Sequence, residues 1–265
     1  MKKFNLIAFL LITALFLSCK NSADSENSKT VVDFKWDFSK ARNYIYKYFQ
    51  EVDSESQMWK SGDATHSKLI GDGFIVVKSK GDKTADLSFV DLQMQMITFE
   101  DGKPKDTLSN KAPEQIIPGM NEKGEFKDEG INILFKILFP LPSRPLKVGE
   151  TEKIPMKIPF NAYGTKLWAT GFNALTYEKN GELDGKKCAV IKAVIDISDL
   201  DIPEGIKGTY KMVTKGTATY YFDYINHYYL GADINLTMDV LADGDMFMKM
   251  KNDNIFKIRF DRIEE

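Results

Sequence analysis

From Val31 to the end of the chain, apolar residues recur with a period of two. Tyr228, Leu230, Ala232, Ile234, Leu236, Met238 and Val240 fall on one side of an extended segment, and Asp233, Asn235, Thr237 and Asp239 on the other. Successive side chains of a strand point to opposite faces, so this alternation marks a strand with one face buried. It returns where Val90, Leu92, Met94 and Met96 alternate with Asp91, Gln93 and Gln95, and where Phe256, Ile258 and Phe260 alternate with Lys257, Arg259 and Asp261. Residues 188–197 and 209–223 are further strands, and Tyr44, Tyr46 and Tyr48 share one strand face. The pattern predicts a mainly β chain. Its architecture is a large curved antiparallel sheet, a half-barrel or a two-lobed β-rich body, with one short helix packed on it.

Turn dipeptides punctuate these runs at Asp72-Gly73, Gly81-Asp82, Asp101-Gly102, Asn180-Gly181, Asp184-Gly185 and Asp243-Gly244. Ile225-Asn226-His227 is placed to close a hairpin. Helical spacing appears over 129–139, where Ile131, Leu134, Phe135 and Leu138 form one stripe, and Pro140-Leu141-Pro142 stops it. Five prolines between Pro140 and Pro159 suit a crossing between two halves, or a strand confined to a sheet edge. The predicted domain organisation is a β-rich body over 31–265, with a lobe boundary near 140–150 as one reading.

A different pattern precedes the body. Lys2 and Lys3 lead into an apolar run from Phe4 to Leu17, followed by Ser18-Cys19. As a helix the run spans about 21 Å, short of the ~30 Å hydrocarbon core of a bilayer. Residues 1–18 therefore read as a cleaved signal peptide. Its ending resembles the lipobox of bacterial lipoproteins, with Phe16 where that motif usually carries Leu. The resemblance implies that Cys19 becomes the first mature residue and carries lipid, palmitate among its acyl groups. Residues 20–30 are polar or small and form a tether of roughly 18 Å. Asp24 and Glu26 within it resemble acidic surface-export signals, though a solvated linker is the stronger reading.

Composition narrows the chemistry. The formal net charge is −2, and loss of Lys2 and Lys3 makes the remainder more acidic, which argues against nucleic acid as a partner. The two cysteines are Cys19 and Cys188. With Cys19 acylated, Cys188 has no partner and there is no disulfide framework. His66 and His227 have no ligand-spaced companions, and no nucleophile elbow, zincin, phosphate-loop or dinucleotide motif occurs. Cys188 reads as a strand residue and His227 as a turn residue. Asp196, Asp199, Asp201 and Glu204 cluster past a strand end, but their spacing matches no calcium loop and reads as a solvated turn. No cofactor, metal or catalytic residue is expected.

The methionines are the most suggestive candidates. Met94, Met96, Met238, Met246, Met248 and Met250 recur at same-face spacing, accompanied by Tyr220 and Phe222. Unbranched, adaptable methionine suits a surface that accommodates varied apolar ligands. The same residues also serve to pack a sheet against its helix, so both uses stay open.

The lipobox, the tether, LFKILFPLPSRPLKVGE and KGTATYYFDYINHYYLGADINLTMDV together resemble lipoproteins abundant in Bacteroidetes, a group that brings no catalytic residues with it. The last segment also resembles, in style of fold, the antiparallel sheets of LolA/LolB-type lipoprotein carriers, an analogy that does not license function. These observations lead to the expectation of a non-enzymatic, lipid-anchored envelope protein. It would sit at the outer membrane, on the periplasmic side or surface-exposed, and bind an apolar or amphipathic ligand on a concave β face. A structural lipoprotein with an envelope protein partner is the alternative, and a carbohydrate hydrolase the third reading.

Overall fold

The alternating segments pair into one continuous antiparallel sheet. The structure, a computed structural model, describes residues 31–127, 129–162, 165–244 and 247–265, so the signal peptide, Cys19 and the tether lie outside the described residues. Its strands are β1 (Val31–Val32), β2 (Ala41–Gln57), β3 (Thr65–Lys80), β4 (Thr84–Glu100), β5 (Lys103–Lys111), β6 (Gln115–Asn121), β7 (Leu146–Lys147), β8 (Thr151–Ala162), β9 (Thr165–Leu183), β10 (Lys186–Asp201), β11 (Thr209–Asp223), β12 (Tyr228–Asp243) and β13 (Phe247–Glu264). The helix, α1, spans Glu129–Leu138. Strand makes up 73% of the structure, about three times the usual share, so the chain is mainly β as its period predicts.

Ten strands run in the order β5-β4-β3-β2-β13-β12-β11-β10-β9-β8, and β6 completes the 11-stranded sheet by pairing with β4. The sheet is not closed into a barrel. Two meanders, β2 to β5 and β8 to β13, are joined along β2–β13, where Tyr48 stands opposite Ile258 and Ser54 opposite Asn252. Pro155 and Pro159 lie in β8, which pairs with β9 alone at the sheet edge, where a missing N–H removes no ladder bond.

Two predicted turns are strand interior instead. Asn180-Gly181 lies within β9, and Asp72-Gly73 within β3. Gly73 is needed for another reason. A Cβ there would come within 2.8 Å of Leu92 Cα, because β4 bulges at Asp91, which takes φ 52°. The bulge also corrects the single-face reading of β4. Val90 stands opposite outward-facing Phe74, whereas Met94 stands opposite Gly71 on the inner face. The partner of β4 changes at the same place: β6 flanks Thr84–Phe89 and β5 flanks Gln93–Glu100.

The core fills one half of the inner face. Residues 32–38 cross it as an extended strap that buries Val32, Phe34, Trp36 and Phe38. Trp36 N donates to Glu122 O at 2.8 Å, and Asp37 N to His227 O at 3.0 Å. Helix α1 lies beside the strap with Phe135, Ile137 and Leu138 buried. Leu134, placed by its spacing on the buried stripe, is instead 41% exposed, because the helix turns Ile137 inward in its place. The last carbonyls of a helix lack intrahelical partners. Here the sheet supplies them: Asn173 Nδ2 donates to Lys136 O at 3.0 Å, and the hydroxyls of Tyr220 and Tyr229 donate to Ile137 O and Pro140 O.

Candidate functional site

The two faces of the sheet differ in chemistry. The outer face is charged and self-paired: Lys68 reaches Glu51 at 2.7 Å, Arg259 reaches Asp233 at 2.6 Å, and the Lys153 and Lys157 ammonium groups lie over Phe172 and Trp168. The inner face is apolar and has two regions. Under the strap and α1 it is packed with tyrosine and phenylalanine. Burial pushes the Tyr44 hydroxyl up to about 12, and pushes those of Tyr220 and Tyr229 well above the usual tyrosine range. These hydroxyls stay protonated and act as hydrogen-bond donors to the strap, α1 and the segment after it, which together form a plug on this half of the face. Tyr220 and Phe222 are fully buried in this region, so they offer no free surface to a ligand.

Beyond the plug the inner face continues with less cover. Register places Val52, Leu69, Met96 and Leu108 side by side across β2, β3, β4 and β5. Val52 and Leu69 are half-buried, while Met96 is 40% and Leu108 62% exposed. Met94, next on the same face, lies across Gly71 and accepts from Gln50 Nε2 at 4.0 Å. Met238, Met248 and Met250 share this face on β12 and β13 and pack against the edge of the core. The methionines therefore form two groups. Four strand steps separate β4 from β12, about 19 Å along a flat sheet. Met246 lies outside the described residues.

A separate cleft of about 420 Å³ opens between α1, the turn after β6, the Pro140–Pro142 segment and β8, and none of these methionines lines it. Its floor is Phe135, Phe139, Leu141 and Ile154, and its charged lining residues are Lys123, Glu125, Lys136 and Glu152. Glu152 accepts from Ser143 Oγ at 2.6 Å and from Ser143 N. Lys123 Nζ donates to Asp33 Oδ1 at 2.9 Å and to Phe34 O at 3.1 Å, and this bond is the main reason that the Asp33 carboxyl titrates below the usual range. Sequence reasoning did not find this cleft. Its lining comes from three separate segments, 123–125, 135–143 and 152–155, and no periodicity links them.

The remaining candidates are dispersed. Cys188 is buried in β10, where burial raises its thiol to about 11, a poor nucleophile. His66 Nε2 lies 2.8 Å from Asp53 Oδ1 on the outer face, with its ring stacked on Phe99. His227 sits in the β11–β12 turn at φ 59°. There Asp223 Oδ1 accepts from the backbone N–H groups of Ile225 and Asn226. Asp196 faces Lys215 at 3.5 Å, while Asp201 and Glu204 are exposed. Among the described residues no group of three His, Cys, Asp or Glu side chains converges as a metal site, and no helix is long and apolar enough to cross a membrane.

No family model matches the chain, and no curated protein matches it. Among solved structures, one titled for lipid–protein interactions in lipovitellin superposes with a TM-score of 0.41 at 10% identity, over 86% of this chain and 26% of that chain. The chain thus spans about a quarter of that structure's length, and a likeness this low carries no weight for function.

Proposed function

We propose that this chain is a lipid-anchored protein of the bacterial envelope that holds an apolar or amphipathic molecule, such as an acyl chain, on the open half of its concave face. One observation carries the reading. The apolar face that packs the core runs on past its own cover, through Val52, Leu69, Met94, Met96 and Leu108, to side chains up to 62% exposed. An apolar strip continuous with a core, on a sheet whose opposite face is charged and self-paired, is a surface built to be covered. Reversible binding by adaptable side chains needs no reacting group, so the role is non-enzymatic. The anchor rests on Cys19 and the leader before it. A radiolabelled fatty acid supplied to the producing cells should enter the parent chain and not Cys19→Ala, and label retained by the variant refutes acylation at that thiol.

The groove is tested by stability and uptake together. Met94→Ala and Met96→Ala should each cost under about 1 kcal/mol in urea midpoints, because few atoms pack against an open face. Leu236→Ala, at a buried inner-face position, should cost about 2–5 kcal/mol. Both methionine variants should also take up less of a fluorescent fatty-acid analogue. Losses equal to the Leu236 control, or unchanged uptake, remove the groove reading. The second reading, a protein-interaction lipoprotein, draws on Met58 and Trp59 at the β2–β3 turn, where Trp59 is 69% exposed.

A further inference from the structure

The cleft beside α1 has features that the concave-face reading does not use. Its volume of about 420 Å³ falls within the ~300–1,000 Å³ range of small-molecule sites. Three of its four charged lining residues are already engaged. Glu152 takes the Ser143 donors, Glu125 Oε2 accepts from Asn121 Nδ2 at 3.1 Å, and Lys123 is bound to Asp33 and Phe34 O. Among the described residues Lys136 has no carboxylate partner, although it lines the cleft beside floor residue Phe135 in α1. The cleft therefore combines an apolar floor with one uncommitted cation.

A buried indole lies beside the cleft and can report on its occupancy. Among the described residues the indole Nε1 of fully buried Trp36 has no hydrogen-bond partner, and a buried donor left unpaired is costly. It stands behind the cleft wall at Gly124. A Cβ built on Gly124 would lie 3.7 Å from both Trp36 Nε1 and Phe139 O. Gly124 lines the cleft and takes φ +74°, a conformation that itself favours glycine, so the indole N–H lies one residue's thickness behind the cleft.

We propose that this cleft is a binding site for a single-chain amphiphilic carboxylate. The chain lies on Phe135, Phe139, Leu141 and Ile154, and the acid group is taken by the Lys136 ammonium, while the Trp36 indole N–H behind the Gly124 wall reports occupancy of the cleft. A charged hydrogen bond in a partly desolvated cleft outweighs a neutral one, so the acid is preferred over the matching alcohol. This site is independent of the open groove and shares no residue with it.

The test uses decanoate and decanol as probes on the purified full-length chain, with isothermal titration and the Trp36 indole N–H resonance as readouts. Decanoate should bind one to one, more tightly than decanol, and shift the Trp36 resonance. Lys136→Gln should weaken decanoate about tenfold or more and leave decanol unchanged, with the thermal transition of the parent preserved. Ile154→Trp, which fills the cleft from half-buried β8, is a second variant that should abolish binding of both probes. Unchanged decanoate affinity in both variants, an unmoved Trp36 resonance, or no binding by the parent overturns the proposal. Decanoate binding lost in Met96→Ala but kept in Lys136→Gln also overturns it, while leaving the groove reading intact.

Discussion

Replacing Trp36 with alanine should cost about 3–5 kcal/mol, roughly a fifth or more of the stability of an ordinary domain. The indole is fully buried, and its ring meets those of Phe38, Tyr44, Tyr46, Phe139 and Tyr229 at centroid distances of 5.5 to 6.3 Å. It is the point at which the strap, β2, β12 and the segment after α1 touch one another. Truncation removes the largest side chain of the core, and the rigid sheet cannot collapse into the space. The urea midpoint should fall with little change in slope. Trp36→Phe keeps a ring and loses a donor that is already unpaired, so it should cost much less. A loss under about 1 kcal/mol for Trp36→Ala would mean that the strap is not part of the folded unit.

The strap also shows what the chain discloses on its face and what it conceals. Val32, Phe34, Trp36 and Phe38 alternate with Asp33, Lys35 and Asp37, a period-two signal as plain as that of β12. It is easily passed over because the segment joins no long ladder; only Val31 and Val32 pair, with β7. Strand existence, the inward sets on β2 and β13, and that on β12 from Ala232 onward follow from alternation alone; before it a bulge puts Tyr229, not Tyr228, opposite Phe222 on the inner face. Facing along β4 does not, since a one-residue bulge at Asp91 reverses every side chain beyond it, and nothing in Val90-Asp91-Leu92 announces the bulge. Glycine after Asp or Asn read as turns at 73 and 181, where close approach between strands was the actual demand. The candidate sites divide in the same way. Met94 and Met96 are legible as a same-face pair because they sit two apart on one strand, while the face they share is set by the bulge. The cleft is not legible, because Gly124, Lys136 and Glu152 become neighbours only when the plug docks. In the sequence Tyr220 reads as ligand-contacting material, because its role as a donor to α1 depends on a carbonyl 83 positions away.

That role makes the second large effect predictable. Tyr220 and Tyr229 hold the end of α1 and the proline segment after it through single hydroxyl-to-carbonyl bonds, both fully buried. Phenylalanine keeps the ring and its packing, so Tyr220→Phe and Tyr229→Phe isolate the bonds. Each leaves a buried carbonyl of the plug without a partner, which should cost about 1–3 kcal/mol. The rings lie 6.3 Å apart and serve the same short segment, so the double variant should depart from additivity. Once one fastening is gone, the plug can shift to relieve the second. The loss should also be local. Amide exchange across residues 133–138 should accelerate more than exchange in β11 and β12, because freeing the plug opens α1 before the sheet. Uniform acceleration across α1 and the sheet would show that helix and sheet unfold as one unit. A double variant as stable as the parent would show that packing alone seats the helix.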